Sequence, residues 1–218
     1  MTAGARGVIS PAGAHVIVVG AEKQAAGKTT IALHLITALA RLGHKVRAVD
    51  LDAEQRTLSR FFAAWRGDCV EVFAPDDAFG LTALHQDLPK SCTYWVIDTP
   101  CAESALARAA HASADTLVTA LTDGAGLGAA APGASLTPSA YSEMVWESRK
   151  QKARARGGPI DWVVLHNRAL NARALPDLGL IALSARIGFR VAPGLSERPV
   201  LRDLLAQRRT LFDAADGL

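Results

Sequence analysis

Apolar positions along the chain switch between two periods, and the switches mark out its elements. Val16-Ile17-Val18-Val19 is a β-branched run ending at Gly20, short and unbroken as in a buried strand. Residues 31–39 carry helical apolar spacing, and Gly43 ends that helix. Residues 44–50 return to a strand, and 58–65 make a short helix whose aromatic stripe reads as core packing. The same alternation gives strands at 94–98, 115–121 and 160–168 and helices at 137–156 and 175–186, the former stopped by Gly157-Gly158-Pro159. A short strand at 188–191, a Pro193-Gly194 turn and one last helix follow. In that helix Leu201, Leu204, Leu205, Leu211 and Phe212 form a single apolar stripe. Between 66 and 92 the pattern is ambiguous, allowing an edge strand at 70–73 and a helix through 81–84. Strands alternating with helices imply an α/β sheet.

Composition narrows this picture. A chain of 218 residues suits a single domain at 15–218 behind a loose Ala/Gly/Ser/Pro-rich tail at 1–14. Half the residues are apolar and only 6% aromatic, so the core is rich in Ala, Val and Leu. No apolar run approaches the ~20 residues of a membrane span, and the tail lacks the apolar segment of a signal peptide. A net charge of +3 is too mild to argue for nucleic acid by itself. Cys69, Cys92 and Cys101 are odd in number and form no Cys-x-x-Cys pair, which reads as reduced thiols in a cytosolic protein. Residues 123–134, with almost no large side chains, read as a mobile loop. Arg149, Lys150, Lys152, Arg154 and Arg156 read as the solvated basic end of the helix at 137–156, where the dipole favours cations.

The candidate chemistry lies where strands end. After the first strand, Glu22-Lys23-Gln24-Ala25-Ala26-Gly27-Lys28-Thr29-Thr30 is a short loop in which Gly-Lys-Thr opens a helix. Such a junction gathers backbone N–H groups in one concavity at the positive end of a helix dipole, a site for phosphate. Lys28 would then reach the outer phosphates of a nucleotide, and the Thr29 hydroxyl would complete a Mg²⁺ shell. The strand at 44–50 ends in Asp50-Leu51-Asp52, whose spacing puts both carboxylates on one face while the strand lasts. The strand at 94–98 ends in Asp98, placed to hold the same metal shell. All these ends fall at the edge where open parallel sheets bind ligands.

A Gly is usual five residues before the Gly-Lys pair; here it is Glu22, and Lys23 stands five residues ahead of Lys28. That second lysine resembles the deviant Walker A loop of the ParA/MinD ATPases, and Asp98-Thr99-Pro100 resembles the start of their switch II. The resemblance narrows to the MipZ family, the ATPases that position the bacterial division plane. It is carried by Gln55-Arg56-Thr57, Arg60-Phe61-Phe62, Tyr141-Ser142, Val145-Trp146-Glu147, Arg149-Lys150-Gln151, Asp161-Trp162-Val163-Val164-Leu165, Asn167-Arg168 and Gly188-Phe189-Arg190. It spans about residues 15–212.

The resemblance implies a doubly wound, mostly parallel sheet with helices on both faces, and a cycle between monomer and ATP-bound homodimer. It implies ATP/ADP and Mg²⁺ as ligands, with Gln24, Ala25, Ala26, Gly27, Lys28, Thr29 and Thr30 around the phosphates and Thr29, Asp52 and Asp98 around the metal. Lys23 would cross to the partner's nucleotide, and Asp52 would orient the attacking water. Asn167, beside Arg168, would read the adenine, an alternative being that Asn167 only forms a turn. The family's dimer binds DNA non-specifically, associates with ParB and blocks assembly of FtsZ. A cytoplasmic, nucleoid-associated location without membrane attachment follows.

Three departures qualify that reading. Gln24 and Ala25 replace two glycines that allow positive φ and close approach across the dimer, so a Gln side chain stands towards the partner. Cys101 replaces the switch II glycine. Arg173, Arg186, Arg190, Arg198, Arg202, Arg208 and Arg209 are interspersed with acids, and the basic residues for DNA are sparse. The second functional reading is therefore a nucleotide-binding relative that stays monomeric and acts as an interaction module. An iron-protein relative would require paired cluster cysteines. A dethiobiotin-synthetase-like ligase would leave the Val-Trp-Glu and Asp-Trp-Val-Val segments unexplained.

Overall fold

The computed structural model describes residues 13–65, 68–86, 92–101, 104–122, 127, 138–155, 157–169 and 178–215. Residues 1–12 of the expected tail, the loop at 123–134 apart from Leu127, Arg156 and Arg173 lie outside the described residues, while Ala14 is buried in the core.

Seven strands form one sheet: β1 (His15–Gly20), β2 (Val46–Asp50), β3 (Val70–Phe73), β4 (Tyr94–Asp98), β5 (Thr116–Leu121), β6 (Asp161–Ala169) and β7 (Arg190–Ser196). Their order is β3-β2-β4-β1-β5-β6-β7, and every pair is parallel. The inner strands are buried on both faces, which explains their continuous apolar runs. The ambiguous segment resolves into edge strand β3 and helix α3 (Ala78–Gln86).

Side chains alternate between two cores. Val16, Val18, Trp95, Ile97, Leu117 and Trp162 pack with helices α3, α4 (Ala105–Ser113), α5 (Ala140–Arg154) and α6 (Leu178–Ile187). Val19, Ala48, Val96, Val118 and Leu165 face α1 (Lys28–Arg41) and α2 (Thr57–Phe62). The expected doubly wound architecture is therefore present.

Three local expectations change. Pro193-Gly194 lies inside β7, where the register with β6 slips; an edge strand tolerates a residue without an N–H. The final stripe is divided between α7 (Val200–Ala206) and α8 (Leu211–Ala215), because Thr210 starts a new helix by bonding the Asp213 carboxylate. The end of α5 is also only partly solvated. Lys152 is buried and donates to the Ala114 carbonyl and, at 2.6 Å, to Asp115, while Arg149 caps the carbonyls of Ile187 and Gly188. Lys150, paired with Glu147, and Arg154 remain on the surface.

Candidate functional site

The loop between β1 and α1 begins on Gly20, and only glycine fits there. A Cβ at Gly20 would lie 2.4 Å from the Tyr141 hydroxyl and 2.8 Å from His111 Nε2. These two side chains belong to a buried chain of hydrogen bonds whose direction is set at both ends. Trp162 Nε1 can only donate, and does so to Thr119 Oγ1 at 2.9 Å; the Ala107 carbonyl can only accept, and takes the His111 Nδ1 proton at 2.7 Å. Thr119 therefore donates to Tyr141 at 3.1 Å, and Tyr141 to His111 Nε2 at 3.2 Å. Burial pushes His111 down to about 4 and Tyr141 upwards, so both stay neutral. The network joins residues from 107 to 162, and its only local sign in the sequence is a His and a Tyr within otherwise apolar stretches.

Beyond Gly20, Ala21 and Ala26 are buried and Lys23, Gln24 and Ala25 are exposed. Ala25 takes φ +56°, a left-handed conformation that glycine adopts without strain, and Gly27 takes φ +86°. Helix α1 starts immediately after, with no capping side chain and no acid in its first turn. Its first N–H groups and its dipole suit an anion. Lys28, Thr29 and Thr30 are half-buried at that end.

Asp98, the last residue of β4, reaches the same place: Thr29 Oγ1 donates to its Oδ2 at 2.6 Å. Its Oδ1 is buried without a hydrogen-bond partner among the described residues. Burial pushes the Asp98 carboxyl up to about 7; the Asp50 and Asp52 charges add to this, while the Thr29 hydroxyl and Lys28 oppose it. An orphaned buried carboxylate oxygen beside a hydroxyl is a donor set that fits a hard cation such as Mg²⁺. Among the described residues no three acidic, imidazole or thiol groups converge on a metal, so such an ion would draw its other ligands from phosphate and water.

Asp50 is the last residue of β2 and Asp52 lies beyond it, so strand alternation does not set the two carboxylates on one face. Asp50 ends the strand beside Asp98, fully buried, and accepts bonds from Ser59 N, Ser59 Oγ and Asp52 N. Asp52 lies on the turn beyond the strand, half-buried, with Oδ1 accepting from Gln55 N. Period-two alternation ends with the strand, and Asp50 is used to shape the turn.

Asn167 is brought to the loop from the end of β6. Its Nδ2 donates to the Ala26 carbonyl at 2.7 Å and lies 2.1 Å from where a Cβ on Gly27 would stand. Arg168 is exposed with φ +58°. Cys101 is not among the left-handed residues, and its thiol sits 3.8 Å from the Glu22 carbonyl. Both residues line a cavity of about 150 Å³, together with Ala21, Pro100, Tyr141 and Met144.

A family model, ATPase MipZ, matches residues 15–70 and 65–217. No curated protein matches the chain. Among solved structures, the chain is similar to apo McdA of Cyanothece, with TM-score 0.71 and 21% identity over 92% of this chain and 93% of that one. The MinC:MinD cell division complex of Aquifex aeolicus gives TM-score 0.63 and 16% identity over 93% and 89%. A plasmid partition protein from Borrelia burgdorferi bound to AMPPNP gives 0.59 and 15% over 90% of each chain.

Proposed function

The chain belongs to the MipZ family of ParA/MinD-type ATPases, and from that premise we propose that it is an ATP-operated switch that places the cell-division site. Lys28 and the first N–H groups of α1 hold the phosphates of ATP, with Thr29 and Asp98 holding Mg²⁺. The metal would supply charge neutralisation on the outer phosphate oxygens. Asp52 orients the attacking water, and Lys23 reaches the nucleotide of a second copy when two ATP-bound chains meet. In that state the protein blocks assembly of an FtsZ-like filament and engages a ParB-like protein and DNA. Hydrolysis, slow in such a switch, returns the monomer. It acts in the cytoplasm.

One observation carries this reading. Thr29 lies 2.6 Å from a buried carboxylate whose second oxygen has no partner, at the open N-terminus of α1. A second reading has its own support: exposed Gln24 and left-handed Ala25 stand where a close dimer would need glycines. Under it the protein binds ATP and remains a monomeric interaction module.

Light scattering of the eluting protein with Mg·ATP, run beside Gln24→Gly and with phosphate release measured, separates the two. ATP-dependent dimers with turnover in the wild-type protein support the switch. A wild-type monomer that binds ATP, with dimers only in Gln24→Gly, supports the module. Absence of ATP binding overturns both.

A further inference from the structure

Asn167 stands 141 positions from Ala26 in sequence yet bonds its carbonyl at 2.7 Å, and it is 8% exposed. The contact is built from both sides. On β6, the register with β7 slips on either side of Asn167, and Arg168 turns left-handed at φ +58°, so the strand is irregular where it presents the amide. On the loop, Gly27 has no side chain where Nδ2 sits, since a Cβ there would lie 2.1 Å away. An Asn amide donates where an Asp carboxylate would repel the same carbonyl.

The peptide joining Ala26 to Gly27 is trans, as are all described peptides. In a planar trans peptide the carbonyl and the next N–H point in opposite directions. Holding the Ala26 carbonyl towards Asn167 therefore turns the Gly27 N–H away from it. Gly27 is the N-cap of α1, so this N–H belongs to the group of donors at the helix start. The neighbouring Ala25 holds a conformation that is costly for a non-glycine residue, and contacts to the rest of the fold must offset that cost.

We propose that Asn167 is a positioning residue for the phosphate cradle, locking the Ala26–Gly27 peptide so that the Gly27 N–H faces the anion, and that it does so before any base is bound. This rests on the nucleotide-binding reading above and adds to it a coupling between the base side of the site and its phosphate side. The ligand class that reports it is a polyphosphate without a base.

The experiment compares Mg·ATP with Mg·tripolyphosphate, each displacing a fluorescent ADP analogue from wild type and from Asn167→Ala. Loss of one hydrogen bond that orients a donor weakens both ligands by a similar factor, roughly three- to ten-fold. Asn167→Asp, which cannot donate, weakens both further. If Asn167→Ala weakens ATP alone and leaves tripolyphosphate within two-fold, the residue reads only the base and the proposal fails. Wild-type protein that binds neither ligand removes the nucleotide reading, and this inference with it. Hydrogen exchange of the ligand-free protein gives an independent arm. Faster exchange confined to residues 21–27 in Asn167→Ala supports the lock, and unchanged exchange there overturns it.

Discussion

Ala25 and Asp98 each hold a state that their side chains resist. Ala25 is left-handed at φ +56°, which disfavours a residue with a Cβ by about 1–2 kcal/mol, while glycine loses about 0.5–1 kcal/mol more chain entropy on folding. Ala25→Gly is therefore expected to stabilise the ligand-free protein by up to about 1 kcal/mol, a rise of about 2–4 °C in melting temperature for a chain of this size. A lower melting temperature would contradict it. Asp98 carries a carboxyl raised from 3.8 to about 7, chiefly by burial. Below pH 4 both folded and unfolded chains hold that proton. As pH rises towards 7 the unfolded chain releases it first, so stability falls through this window and levels off above it, by something on the order of 4 kcal/mol. His111, held down to about 4 by burial, acts in the opposite direction, losing stability as pH falls below its ordinary 6.5. Denaturant unfolding in EDTA between pH 5 and 8 isolates the Asp98 part by subtraction: Asp98→Asn lacks the fall with rising pH. Equal slopes in the two proteins would count against a protonated Asp98.

At the level of elements, the hydrogen-bond chain from Trp162 to Ala107 ties β6, β5, α5 and α4 together directly behind the end of β1. Tyr141→Phe removes two of its bonds and leaves His111 Nε2 buried without a donor, at about 1–3 kcal/mol. Gly20→Ala forces a methyl into the same oxygen and is expected to destabilise by about 3 kcal/mol. Because both act on one oxygen, the double variant should lose less than the sum of the two singles, by about 0.5–3 kcal/mol in urea midpoints. Strict additivity would show that Tyr141 does not back Gly20. α8 is held on α1 by the Arg41–Asp213 pair and by Leu211 N donating to His34 Nε2, so the last described helix rests on the helix that follows the proposed phosphate loop.

Across the whole molecule, the site joins the ends of β1, β4 and β6, which meet only when the sheet is assembled. Ligand binding must then stabilise the entire fold. Mg·ATP at 100 times its dissociation constant adds about 2.7 kcal/mol, a rise of roughly 5–10 °C in melting temperature for a chain of this size. Lys28→Ala is expected to lose most of that rise while melting at the wild-type temperature without ligand, its side chain being half-buried rather than part of either core. An undiminished rise in Lys28→Ala would remove that lysine from the phosphate site. Among the described residues no helix is long and apolar enough to cross a membrane.

Local chemistry was sufficient for the strands, most helices and the strand–loop–helix of residues 15–41, because period, β-branching and Gly-Lys-Thr act over a few neighbouring residues. The seven-stranded parallel sheet with helices on both faces agrees with that reading. Other features depended on residues far apart in sequence. Lys152 belongs to a helix end whose charges suit solvent, yet it is buried against Asp115, and Asp50 and Asp52 differ in surroundings because the strand ends between them. Asn167 came to the loop as a donor to Ala26, and Gly20 proved to be shaped by Tyr141 and His111. Each of these is a contact between groups that desolvate together, and which groups meet is decided by how the layers pack, not by any neighbour along the chain.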